Sequence, residues 1–152
     1  MKIRKIPRST FWVGGLAGLS LGVPLLTSGI YALSQRLSWG PKEVSLDRIF
    51  VLSLIFSGFP AFITAGGVAR LVAHRIAERP DRGLGWAVAR AATAMGFAGI
   101  GLALICAVPL GVLPEQPRYW WPLAIVGAVA GSVTGIAVAV LAGMRQRRRA
   151  AA

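Results

Sequence analysis

A chain of 152 residues that is 55% apolar and only 14% charged, with a mean hydropathy of +0.65, is not composed like a soluble domain. Its formal net charge of +12 would suit a nucleic-acid binder in a soluble protein, but here the basic residues lie between and beyond four apolar runs, where they set orientation; no nucleic-acid partner is expected. A single cysteine, Cys106, excludes an internal disulfide framework and any multi-cysteine metal site, and is read as a small packing residue.

Lys2, Arg4, Lys5 and Arg8 precede the first run, Ser9 to Gln35, which predicts a spanning helix over about 11–34 with Trp12 at one interface and Tyr31 near the other. Ala32-Leu33-Ser34 would serve as a signal-peptide cleavage site, yet Phe11 to Leu33 is longer than the roughly 7–15 residues of a signal's apolar core, so a retained helix is expected. Gly14, Gly18 and Gly22 form a stripe of small residues along it, and Pro24 is expected to bend it by removing a backbone donor. Residues 36–48, with Trp39, Gly40, Pro41, Glu43 and Asp47, read as a short external loop from which Ser45 or Asp47 can cap the next helix.

The second span is expected over about 49–73, with Ser53, Ser57, Ala61, Ala65, Ala69 and Ala73 in four-residue register and a break at Gly58-Phe59-Pro60 near mid-membrane. Broken helices line binding cavities in transporters, but prolines also occur in membrane helices for packing alone, which is the reading adopted. Residues 74–86 form a cytoplasmic loop too short to fold as a domain. The third span, about 87–113, carries Gly99, Ala103, Ala107 and Gly111, with Pro109 near its outer end. Pro114 to Arg118 make a tight outer turn.

The fourth span, about 119–144, begins with the aromatic belt Tyr119, Trp120, Trp121, and Pro122 sits acceptably in its first turn. Gly127, Gly131, Gly135, Ala139 and Gly143 leave one side of it as bare backbone. A four-residue stripe drifts about 40° per step on a helix of 3.6 residues per turn, which predicts an angled partner crossing near −40° with closest contact at Gly131. In the basic tail, 145–152, Arg145, Arg147, Arg148 and Arg149 are expected against anionic lipid headgroups, at about 1 kcal/mol each near the surface.

The N-terminus, the connection from Arg70 to Arg90 and the tail carry thirteen of the seventeen basic residues, whereas the other two loops hold Arg36, Lys42, Arg48 and Arg118 and three of the five acids. By the positive-inside rule both termini and the central connection are cytoplasmic. Ile63 to Arg75 and Val133 to Arg145 align without gaps, and Gly15, Ala17, Gly18 and Leu21 match Gly96, Ala98, Gly99 and Leu102. Val23-Pro24-Leu25 matches Val108-Pro109-Leu110 only after four extra residues, about one helical turn. Two parallel copies of one helical hairpin fit this pattern; so does coincidence between helices rich in Gly, Ala and Leu.

With Arg70 and Arg90 counted in the connection, the interiors of the runs lack Asp, Glu, Lys, Arg and His, which argues against a proton-coupled carrier, a rotary-motor proteolipid and haem ligation within the bilayer. Thr27, Ser28, Thr64, Thr93, Ser132 and Thr134 remain, and hydrogen bonds to helix backbone or across helices account for them. His74, Glu78 and Asp81 are the one acid–base or metal candidate, because four-residue spacing places His74 and Glu78 on one helical face. Pro80 and the arginines Arg75, Arg79 and Arg82 make a solvated interfacial loop the better account. No catalytic, cofactor or metal site is expected.

The sequence therefore predicts an all-α, polytopic integral membrane protein: a bundle of four transmembrane helices with small-xxx-small packing, set in a bacterial inner membrane among its lipids. Its expected role is non-catalytic, either self-associating or as an accessory subunit beside other integral membrane subunits. The alternative is a pore or permeation protein, holin-like, in which several copies surround a path lined by hydroxyls and backbone.

Overall fold

The computed structural model describes residues 7–37, 45–78, 83–110 and 117–151. Among these it is all-helical. Helix α1 spans Arg8–Leu37, α2 Leu46–Glu78, α3 Gly83–Ala107 and α4 Trp120–Ala151, with short 3-10 turns at Val108–Leu110 and Pro117–Tyr119. All four helices are long and apolar enough to cross a membrane, so the chain has the architecture of a multi-pass membrane protein.

Helix ends follow local chemistry. Ser45 starts α2: the Arg48 amide donates to its Oγ at 3.3 Å and the Ile49 amide to its carbonyl oxygen at 3.2 Å. Asp47 is instead the acid of the first turn, where the helix dipole favours it. The α-helical part of the third span stops at Ala107, short of the expected residue 113, and the chain continues through Pro109 as a 3-10 turn; Gly111 lies outside the described residues. Most of the expected loop over 74–86 is helix, since α2 continues to Glu78 and α3 begins at Gly83. Likewise α4 carries the basic tail on through Ala151 as helix.

The two expected proline bends differ. In α1 the five residues Gly18–Gly22 wind as a π-turn immediately before Pro24, the looser turn that lets a helix absorb a missing donor and a bulky ring. Helix α2, in contrast, runs without a break through Pro60. One lost bond within 33 residues does not open the helix; one turn on, the Thr64 hydroxyl donates to the Pro60 carbonyl oxygen at 2.8 Å.

Packing proceeds in pairs. Helix α1 lies on α2 and α3 lies on α4; α2 and α4 touch across the bundle, while α1 and α3 barely meet. At one end the core is built from Leu26, Ile30, Ile49, Cys106 and Leu123. Toward the central connection it is mostly alanine, with Ala65, Ala69, Ala87, Ala91, Ala139 and Ala142 beside Met95 and Val138. Such small side chains bring the helix axes close together.

Candidate functional site

The small-residue stripes come together inside the chain. A Cβ on Gly14 or Gly18 would collide with the Ala69 or Ala65 methyl group of α2, and one on Gly18 would lie 3.1 Å from the Ala61 carbonyl oxygen. In the α3–α4 pair the approach is backbone to backbone: Gly99 faces the Gly127 carbonyl and Gly127 the Gly99 carbonyl, with the Ala103 methyl 2.8 Å from where a Gly127 Cβ would stand. Gly131 meets the Met95 carbonyl, and Gly135 the Ala91 carbonyl. Gly22 differs from the rest of its stripe, facing Thr134 of α4 rather than α2. In the alignment of the two hairpins Gly18 corresponds to Gly99, and Ala61 and Ala65 to Gly131 and Gly135. The corresponding faces do meet in both hairpins, but Gly99 contacts Gly127 and Gly131, one helical turn away from that correspondence.

Glycines outside the stripes carry packing that the four-residue register did not reveal. Gly15 receives the Phe62 ring and Gly66 the Phe11 ring, and the two rings sit edge-to-face at 5.8 Å. Gly67 and Gly101 have open space where a side chain would be. Gly67 stands in an outward row with Phe59, Ile63 and Leu71, and Gly101 in another with Phe97 and Ile105. Each row is a bare notch between large apolar side chains.

The interior hydroxyls mostly bond to their own helices. Ser57 donates to the Ser53 carbonyl at 2.6 Å, Thr134 to Ala130 at 2.7 Å and Thr93 to Ala89 at 3.0 Å. Thr27 and Ser53 do not follow: the buried Oγ1 of Thr27 and Oγ of Ser53 reach no hydrogen-bond partner. A partly open space of about 20 Å³ lies between the four helices, beside Gly18, Ser57, Met95, Gly131 and Thr134. That is about enough for a single water.

The basic end collects the charged groups. His74 Nε2 lies 3.1 Å from Glu78 Oε1 across one turn, and Arg75 is 3.9 Å from the same carboxylate; His74 and Glu78 are both about half exposed. Asp81 lies outside the described residues. Arg90, counted in the connection from sequence, is a helical residue two turns into α3, with its guanidinium 4.3 Å above the Trp86 ring. In α4, Arg145, Arg147 and Arg148 are exposed, and Arg149 continues the same helix. At the other end of α4 the Arg118 guanidinium donates to the Tyr119 hydroxyl at 3.0 Å, beside the exposed Trp120 and Trp121. Comparison with protein-family models, with curated proteins and with solved structures found no match.

Proposed function

We propose that this chain is a non-catalytic multi-pass protein of the bacterial inner membrane that acts by association, with its own copies or as an accessory subunit of a larger membrane complex. Both termini and the central connection face the cytoplasm, an orientation supported by thirteen of seventeen basic residues on that side.

The observation that carries the association reading is the pair of outward rows, Phe59-Ile63-Gly67-Leu71 and Phe97-Gly101-Ile105. A bare glycine between large apolar side chains admits a neighbouring helix closely, and lipid tails fill such a notch less well than fitted side chains do. The association surface is thus shifted from the long stripes, which the fold uses internally, to these two positions. The permeation reading has less behind it, because the Ser57 and Thr134 hydroxyls are bonded inside the chain beside a space of only about 20 Å³.

Purification in mild detergent, with light scattering and identification of co-purifying subunits, tests the proposal. Wild-type protein is expected as an oligomer or with a stoichiometric partner. Gly67→Leu combined with Gly101→Leu should release it as a monomer of unchanged thermal stability, since both sites have room. A wild-type monomer without a partner refutes association, and ion conductance of the purified wild-type protein in liposomes would favour the permeation reading instead.

A further inference from the structure

Helices α2 and α3 leave an open cleft between them at the basic end, with a volume of about 600 Å³. This lies within the range of about 300–1,000 Å³ usual for ligand sites. Its inner walls are apolar, formed by Val68 and Leu71 of α2 and Ala94 of α3; Arg75, Trp86 and Arg90 also line it, nearer the helix ends. At 1.5 Å per residue, Val68 and Ala94 lie roughly 15 Å from the helix ends at Glu78 and Gly83, while Arg75 is within one turn of its end. The cleft therefore grades from apolar depth to cationic mouth in the direction in which a membrane grades from acyl chain to headgroup.

Its two cations are not neutralised by strong pairs. Arg75 meets Glu78 only at 3.9 Å, and among the described residues no carboxylate pairs with Arg90, which is held over Trp86 instead. Stacking on a tryptophan one turn closer to the helix end draws the Arg90 side chain toward the headgroup layer and leaves its planar donors available. Planar guanidinium groups suit phosphate oxygens.

From this juxtaposition we propose that the α2–α3 cleft binds one anionic glycerophospholipid, with an acyl chain between Val68, Leu71 and Ala94 and its phosphate between Arg75 and Arg90. This site is distinct from the arginines at the end of α4, whose exposed charges attract an anionic surface without a slot for a chain, and it does not rest on the association reading.

Native mass spectrometry tests it, on protein exchanged from mixed micelles holding equal amounts of phosphatidylglycerol and phosphatidylcholine with identical acyl chains. Wild-type protein should retain phosphatidylglycerol more than about tenfold over phosphatidylcholine, as two arginines at a membrane surface allow. Arg75→Gln with Arg90→Gln should cut the preference by about tenfold or more, whereas Arg147→Gln with Arg148→Gln, which removes surface charge without touching the cleft, should lower it by less. Ala94→Phe fills the slot from an exposed position and should reduce retention of both lipids. A preference that survives loss of Arg75 and Arg90, that falls as far with Arg147 and Arg148, or a retention indifferent to Ala94→Phe overturns the proposal.

Discussion

Leucine at Gly131 is the sharpest perturbation of this fold. Its Cβ would overlap the Met95 carbonyl oxygen, stand 2.8 Å from the carbonyl carbon and lie 3.2 Å from the Gly96 Cα. All three are backbone atoms of α3, so no flexible side chain can turn away and the helices themselves must separate. Separation would also loosen the flanking contacts at Gly127 and Gly135, which rely on the same close approach. Overpacking typically costs about 1–3 kcal/mol, and a rigid backbone obstacle at the middle of the seam places this variant at the upper end. At about 2–4 °C per kcal/mol for a chain of this size, a cost of about 3 kcal/mol lowers Tm by about 6–12 °C. The chain supplies its own probe: Cys106 is its single thiol and is fully buried, so a fluorogenic thiol reagent reports unfolding in detergent. Val129→Leu, at an exposed position of the same helix, should stay within about 2 °C of wild type. A Gly131→Leu protein with the wild-type Tm would show that this face of α4 does not pack on α3.

Two further outcomes follow from particular groups. Thr27→Val removes a buried hydroxyl that has no hydrogen-bond partner, which should stabilise by about 1 kcal/mol and raise Tm by about 2–4 °C in the same assay; a fall in Tm would show that the hydroxyl is satisfied. A periplasmic phosphatase fused after Arg149 should be inactive and a cytoplasmic reporter at the same place active, and phosphatase activity there would reverse the proposed orientation.

The four spans were legible because a bilayer demands long uncharged runs, and hydropathy reads those directly. The stripes were legible as close-packing faces, since Gly at every fourth residue has few other uses in a membrane helix. Their partners were not: a bare face at Gly127, Gly131 and Gly135 suits another copy as well as α3, and only the fold shows that Gly99 lies opposite. Gly99 and Gly101 illustrate the limit, being two residues apart yet on opposite sides of α3, one against α4 and the other in open space. Trp86 and Arg90 could have been paired from their four-residue spacing, but assigning residues 74–86 to a loop and Arg90 to the connection hid it. Pro24 and Pro60 look alike in sequence, and the difference between a π-turn and a continuous helix lies in their surroundings.

The seams also explain why a cleft lies where it does. Within a bilayer, lipid tails solvate apolar side chains as well as other helices do, so helices adhere where their shapes allow backbones to approach. Glycine and alanine supply that shape along α1–α2 and along α3–α4, making two tight hairpins. Between α2 and α3, Val68, Leu71, Trp86 and Arg90 line the junction, where the two helices leave an open cleft. Toward the bundle interior the same two helices still bring Ala65 and Ala69 into one core with Ala87 and Ala91, so the gap opens only toward the outside. A void on that side is not left empty in a membrane, because lipid is the solvent. On the proposal of a bound anionic lipid, the arginines at its mouth select the headgroup that enters.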